Sequence, residues 1–533
     1  MTLAALRSAA GLLPVLLVFV LIMVRRWNGA QAGLAGWLAA AALAWLGFGA
    51  GVQLLAVSQA RALFLAVDVL AIIWAALLLH AVMEQAGAFH AVTAAAGALA
   101  GRPVLAAATV GWALATLLQG VAGFGVPVAV VAPLLLSLGF APEAAVIVPS
   151  LGHGWAVTFG SIGNAMQAMV NATGLDAAAI APRSAWLAAW AGLGCGAAAV
   201  VAACGWRAML GRWWEVLGMA AIMGGPHLLL ARTAYWPLAS LGSGMAGLAW
   251  GLFLARRSPS SSTAGPAASA MASAKSAAKP SARAIDDPGA DGPSRRGLTL
   301  AVAMAPYGLL WLTVVAARLP ALADLLGRAA WRIDLPATAT AQGWRNAAGQ
   351  TVAIHPFFGT GPLVMLVALA AVAWYRRRGV AAAGLATPLR LTLHRALRPS
   401  AAILLLVGMG EILAASGMTQ ALALLAAATF GRALTWVLPW IGALGALITG
   451  TNTNSNLLFA RMELVAARAV GLDIPTAMAL QNVGGAVASV LSPAKIMVGL
   501  STVGMVGAEG RVMRRLAGPA ALIILGATLI ALL

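Results

Sequence analysis

Apolar residues run through this chain in long, nearly continuous blocks. Gly33 to Val57, Leu63 to Met83 and Pro237 to Ala255 are three such blocks. Each reaches the roughly 20 residues that a helix needs to cross about 30 Å of hydrocarbon. The blocks lack the two-residue alternation of a barrel strand, and backbone groups in lipid must be satisfied within their own segment, so the pattern predicts membrane-spanning helices. The fold class is an all-α polytopic membrane protein of about 12–14 transmembrane helices.

Polar residues interrupt two of these blocks. The first interruption is Gln119-Gly120-Val121-Ala122-Gly123-Phe124-Gly125-Val126-Pro127, where three glycines and a proline disfavour a continuous helix and free backbone groups. Close helix packing through small residues is the competing reading of that cluster. The second is Thr449-Gly450-Thr451-Asn452-Thr453-Asn454-Ser455-Asn456, in which seven of eight side chains can hydrogen-bond. Such a run between apolar stretches is costly in hydrocarbon unless it lines a cavity or forms a surface loop.

The interruptions sit in stretches that align at an offset of about 330 residues. Ala86-Gly87 matches Ser416-Gly417, Gly101-Arg102 matches Gly431-Arg432, and Gln119-Gly120 matches Thr449-Gly450. Gly139 to Pro142 then matches Gly471 to Pro475, and Ser161 falls over Ser492. Paired broken segments in two repeats mark secondary transporters, whose sites lie near the midplane at the breaks.

Charge orients the chain. Six arginines and no acidic residue lie between Arg376 and Arg398, which places that loop in the cytoplasm. The preceding segment from Pro320 to Phe358 mixes both signs and is expected in the periplasm. Arg25-Arg26, Arg207, Arg212, Arg511, Arg514 and Arg515 then fall inside, and the two repeats are expected to be inverted. The expected organisation is N-terminal helices at 1–62, a first repeat at 63–170, intervening helices at 171–255, and a disordered cytoplasmic linker at 256–298. Intervening helices with a periplasmic loop follow at 299–392, then a second repeat at 393–506 and a C-terminal helix at 507–533. Gly11 to Val24 lacks a small-residue cleavage site and is expected to be a retained first helix.

Composition agrees: 62% of the residues are hydrophobic and 9% charged, against about a quarter charged in a soluble domain. The net charge of +19 sits in short loops beside apolar blocks, so it is topological and no nucleic acid is expected. Cys195 and Cys204, nine apart on one predicted helix, stand about 13 Å apart along its axis, too far for an internal disulfide. No metal site and no cofactor are expected.

Asn and Thr caps at the start of a half-helix offer N–H donors and a partial positive charge, for which a small carboxylate is the natural guest. Candidate substrate-binding residues are Gln119, Gly120, Gly123 and Gly125 in the first break, and Thr451, Asn452, Thr453, Asn454 and Asn456 in the second. His153, Ser161 and Ser492 are candidates from adjoining segments. His153 is either a titrating group or a packed hydrogen-bonding residue. Coupling to an ion needs a group that changes protonation between the two faces. The membrane candidates are Glu411, on the helix leading into the second repeat, with Asp68 and Glu84; Glu143 and Glu463 lie near segment ends.

Through Gly120 to Ala129, Gly450 to Phe459, Gly484-Gly485, Ser492-Pro493 and Val506 to Gly510, in that order, the chain resembles the lactate permease family of proton-linked monocarboxylate transporters. The resemblance runs from about residue 10 to the C-terminus, the linker excepted. It implies a bacterial inner-membrane carrier that imports L-lactate, D-lactate or glycolate with a proton, by an elevator-like motion of inverted repeats. Three positions depart from the family pattern. Gln119 stands where a glutamate is usual, Asn452 replaces an aspartate, and Ser489 replaces a lysine just before the Ser-Pro pair, with Lys495 close by. These departures leave a carrier of another organic acid, or an uncoupled facilitator, as alternatives. A membrane-embedded enzyme is the alternative of another class, and no His-Glu-x-x-His, Cys-His pairing or phosphate loop supports it.

Overall fold

The computed structural model describes residues 10–25, 27–96, 99, 101–123, 125–257, 298–351, 353–380, 385–505 and 507–533. The expected linker therefore lies, from 258 to 297, outside the described residues, as do Phe124 of the first break, Val506 and Arg26. Among the described residues, 12 helices are long and apolar enough to cross a membrane, the lower end of the expected count.

The chain opens with α1 (Leu13–Met23) and α2 (Gly29–Phe48). Asn28 starts α2 by accepting the N–H groups of Ala30 and Gln31, while the Gln31 side chain accepts the Asn28 N–H, a reciprocal capping box. The long α3 (Val52–Gln85) then turns at Gly87 into α4 (Ala88–Ala96). Helix α5 (Pro103–Val121) carries a π-helical stretch at Ala107–Leu114. After a break come α6 (Val126–Ser137), α7 (Pro142–Gly154), a 3-10 turn at Trp155–Phe159 and α8 (Gly160–Thr173). Three spanning helices follow: α9 (Ala177–Cys204), α10 (Trp213–Ala231) and α11 (Ala239–Arg257).

Beyond the undescribed segment, α12 (Leu300–Ala317) and α13 (Thr360–Arg377) flank four two-residue strands. These are β1 (Asp334–Leu335), β2 (Thr338–Ala339), β3 (Arg345–Asn346) and β4 (Gly349–Gln350), paired antiparallel as β1 with β4 and β2 with β3. The pairing gives partners to backbone groups in a segment with no apolar block. This β segment covers the α2–α3 turn and the end of the next long helix. The Ala341 N–H donates to Gly49 O at 2.8 Å and Asn346 Nδ2 donates to Ala415 O at 2.8 Å.

The final stretch holds α14 (Ala386–Ala415), α15 (Met418–Phe430), α16 (Leu434–Thr449), α17 (Asn452–Ala469), α18 (Ile474–Ala488), α19 (Pro493–Thr502) and α20 (Glu509–Ala531). Its order of events parallels that of residues 52–173. Left-handed glycines punctuate both stretches: Gly87, Gly101, Gly125 and Gly139 in one, Gly417, Gly431, Gly450 and Gly471 in the other. Both α7 and α18 run into a 3-10 turn and then another helix, which starts at Gly160 in the first stretch and after the Ser492 cap in the second. The leading helices α3 and α14 lie antiparallel. Glu84 meets Arg395, Trp74 Nε1 donates to Ser400 Oγ, and Gln59 Nε2 donates to Gly408 O along their length.

The two breaks are built differently. In the first stretch the helix continues through Gln119 and Gly120 to Val121, and the backbone leaves it only at Ala122. A Cβ at Gly120 would sit 2.6 Å from the Leu241 backbone nitrogen, so this glycine serves close packing with α11, not the turn. The turn falls to Gly125, at φ +89°. The break expected from Gln119 to Pro127 is therefore shorter and begins later. In the second stretch, Gly450 at φ +80° and extended Thr451 alone separate α16 from α17.

Candidate functional site

The N-termini of α6, α17 and α19 meet at a cavity of about 650 Å³ between α3 and α14. Thr449, Gly450, Thr451, Asn454, Ser492 and Lys495 supply its polar wall. Leu77, Val126, Ala129, Ile403 and Val498 supply the apolar one, and His80, Glu84, Arg395 and Arg398 line it toward the end of α3 and the start of α14.

Local sequence explains this convergence. Proline early in α6, and Pro493 as the first residue of α19, remove N–H groups that would have no helical partner anyway. Thr451 caps α17, its Oγ1 accepting the Asn454 N–H at 3.1 Å. Helix starts carry about half a positive charge each, so three of them around one cavity favour an anion. Lys495 adds a full charge. It is 7% exposed, and its Nζ donates to Ser489 Oγ at 3.1 Å. An ammonium has three donors, so that single bond leaves it incompletely satisfied. Asn454 is also buried, and its Oδ1 has no hydrogen-bond partner among the described residues.

The predicted residues divide into two groups. Thr451, Asn454 and Ser492 line the cavity. Gly125 adjoins it, since a Cβ there would approach Val498 at 3.6 Å and Lys495 Cα at 3.8 Å. The others form a polar cluster behind it. Asn452 Nδ2 donates to Asn482 O at 3.3 Å and Asn456 Nδ2 donates to Ala165 O at 2.8 Å and to Asn482 Oδ1 at 2.9 Å. Thr453 Oγ1 accepts from Asn164 Nδ2 at 3.3 Å. Gln481 and Asn482 of α18 complete this cluster, with Gln481 Nε2 donating to Ser455 Oγ at 3.1 Å and Asn482 Nδ2 donating to Ser184 Oγ at 3.2 Å. Ser161 Oγ accepts the Gly123 N–H at 2.8 Å and so ties the first break to the start of α8. There Ser161 and Ile162 hold left-handed φ values of 47° and 55°, unusual for a β-branched residue. Gln119 lies under Gly160, with its Oε1 unpartnered among the described residues. His153 is buried with Nδ1 2.6 Å from Pro149 O, and does not line the cavity.

The coupling candidates also separate. Glu84, at the cavity mouth, accepts from Arg395 Nη1 at 3.0 Å with His80 Nε2 at 3.8 Å. Glu411 is buried, faces Arg461 Nη1 at 3.7 Å, and has Arg61 within electrostatic reach. Asp68 accepts from Asn171 Nδ2 at 3.4 Å, and Glu143 pairs with Arg515 at 3.2 Å. Glu463 is fully buried, and neither carboxyl oxygen has a hydrogen-bond partner among the described residues.

Sequence reading did not place Lys495, Arg395, Arg398 or His80 in the site. The arginines were absorbed into the topological charge signal. Lys495 had a signal of its own, because two of the chain's three lysines, Lys275 and Lys279, lie in the linker. Its ammonium reaches back to Ser489, the position where the family pattern has its lysine.

Relatives by sequence are named permeases. The L-lactate permease of Bacillus subtilis (strain 168) is 26% identical over 435 residues, covering 77% of this chain and 74% of its own. The L-lactate permease of Salmonella typhi is 32% identical over 158 residues, covering 30% and 28%. Glycolate permease GlcA of Escherichia coli (strain K12) is 34% identical over 99 residues, covering 19% and 18%. Among solved structures, that of the Alcanivorax borkumensis YdaH transporter covers 86% of this chain and 83% of its own, at 16% identity and a TM-score of 0.37. The profile of the L-lactate permease family matches residues 8–533, nearly the whole chain, and this multi-pass membrane protein belongs to that family.

Proposed function

We propose that the chain is a carrier, not an enzyme, that moves lactate or a similar small monocarboxylate such as glycolate across the bacterial inner membrane. The observation that carries this reading is the buried Lys495 ammonium beside three helix N-termini in the cavity where both breaks converge. The substrate carboxylate takes the open donors of Lys495 and of the α17 and α19 starts, with the Thr451 and Ser492 hydroxyls as further partners. The 2-hydroxyl of the substrate donates to Asn454 Oδ1, a cavity-lining acceptor without a partner among the described residues. Val126, Ala129 and Val498 face the methyl group of lactate. Arg395 and Arg398 at the mouth raise the local concentration of anions.

Relatives named L-lactate permease and glycolate permease support the same substrate class. Proton linkage is proposed in a weakened form. Gln119 and Asn452 leave both breaks without a titratable side chain, so transport depends less on an inward proton gradient than the family pattern implies.

The test is uptake into proteoliposomes of labelled lactate, glycolate, pyruvate and longer acids, with and without an imposed pH gradient. Saturable uptake is expected for lactate or glycolate. Pyruvate, with no hydroxyl to donate to Asn454, is expected to compete at least about tenfold less well, the discrimination that one unmatched buried polar group produces. Absence of saturable uptake across the panel rejects the reading.

A further inference from the structure

A second cavity, of about 630 Å³, lies between α7, α9 and α20 and shares no lining residue with the polar site. Its walls are largely apolar and include small residues, Gly194, Ala197 and Ala198 of α9 and Gly526 and Ala527 of α20. It extends along α20 from Arg515 to Ile530, about 22 Å at the helical rise. That length exceeds one leaflet's half of the roughly 30 Å hydrocarbon core.

We propose that this groove binds one anionic phospholipid, its acyl chain against the small-residue walls and its phosphate on Arg515. Hydrocarbon alone gives no preference here, because lipid tails are as apolar as the groove and any lipid can wet it. Specificity comes from the charged end. Helices α9 and α20 run antiparallel, with Arg183 near the start of α9 donating to Ala531 O at the end of α20. The end of α9 therefore lies beside the start of α20, which gathers Arg207, Arg511, Arg514 and Arg515 at one end of the groove. Glu143, which meets Arg515, and Glu509, in the first turn of α20, are the acidic side chains on the groove's helices at that end. Arg515 uses Nε on Glu143 at 3.2 Å and is 64% exposed, so its two terminal nitrogens remain to grip a phosphate. Basic pockets between membrane helices on the cytoplasmic side recognise anionic headgroups in this way. A second copy of the chain is the less favourable occupant. Across a two-fold axis along the membrane normal it would bring two such arginine clusters together.

The experiment is native mass spectrometry of the full chain in neutral detergent, titrated separately with phosphatidylglycerol and phosphatidylcholine of matched tails. One phosphatidylglycerol is expected to be retained at about tenfold lower concentration than phosphatidylcholine, given the roughly additive attraction of each basic side chain. Arg515→Gln should reduce that preference below about twofold, and Arg511→Gln with Arg514→Gln serves if Arg515→Gln fails to fold. A Cβ at Gly526 meets nothing within 4 Å, so Gly526→Leu fits and fills the groove. It should lower retention of both lipids. Equal retention of the two lipids, or retention unchanged in these variants, overturns the proposal. So does a shift from dimer to monomer in Gly526→Leu, which would assign the groove to a second copy.

Discussion

Lys495 and Asn454 both line the cavity with hydrogen-bonding capacity to spare. Asn456, two residues further on, spends its amide on Ala165 and Asn482, and so joins α8, α17 and α18. The two asparagines should therefore respond differently to the same change. Asn454→Leu is expected to reduce lactate uptake by at least about tenfold at unchanged thermal stability, since one buried contact is worth about 1–3 kcal/mol. Asn456→Leu strands partners on two other helices, so its melting temperature in detergent should fall as well. Equal melting of both variants with equal uptake would remove the distinction. Lys495→Gln keeps a donor for Ser489 but loses the charge. It should raise KM for lactate more than it lowers protein yield, and an unchanged KM would take the carboxylate elsewhere.

At the scale of elements, the breaks show which part of the site is legible in sequence. Apolar runs and a dense Asn/Thr cluster announce the helices and the second break, because a run of amides in hydrocarbon has few other physical explanations. The first break is less legible, because a glycine needed for left-handed backbone and one needed for close approach look alike in sequence. Gly120 is of the second kind, packed against Leu241, whereas Gly125 is of the first. The left-handed turn at Ser161 and Ile162 has no local signature, since serine and isoleucine give no hint of it. Ser492 at the start of α19 was expected near the site, but the entry of Lys495 into the cavity was hidden, for it depends on how α19 packs against α6 and not on its ten residues alone. Gly450 provides a test of the break itself. Gly450→Ala forces a side chain into φ +80° and brings its Cβ to 3.1 Å from Ser492 Oγ. Gly471→Ala meets the same backbone penalty, at φ +68°, in open space away from the cavity. Both should cost roughly 1–2 kcal/mol of stability, but only Gly450→Ala should lose uptake. If both retain or both lose transport, the geometry at Gly450 has no special role.

For the whole molecule, orientation and coupling are linked, because a proton gradient drives only a carrier whose titrating group sees each face in turn. Orientation is tested with single cysteines, after replacing Cys195 and Cys204 by alanine: Arg378→Cys should be labelled only from the cytoplasm and Ala347→Cys only from outside. Labelling of both from one side would refute the inverted arrangement. Coupling then depends on the carboxylates. Glu84 is paired with Arg395 and Glu143 with Arg515, while Glu411 meets Arg461 at the longer distance of 3.7 Å. Glu84 and Glu143 each have an arginine nitrogen within 3.2 Å, whereas Glu411 is buried on α14 without so close a partner. Glu411 therefore remains the proposed coupling group, and Glu463, buried with no hydrogen-bond partner among the described residues, is the group to compare with it. Lactate accumulation measured against proton gradient at fixed external pH should rise only weakly in the native chain, and Glu411→Gln should abolish that rise while leaving downhill exchange intact. Dependence that persists in Glu411→Gln but vanishes in Glu463→Gln would move the proton from the end of α14 to the middle of α17. Steep concentrative uptake untouched by either change would reject both sites, and with them the idea that losing the acidic residues at 119 and 452 weakened the coupling.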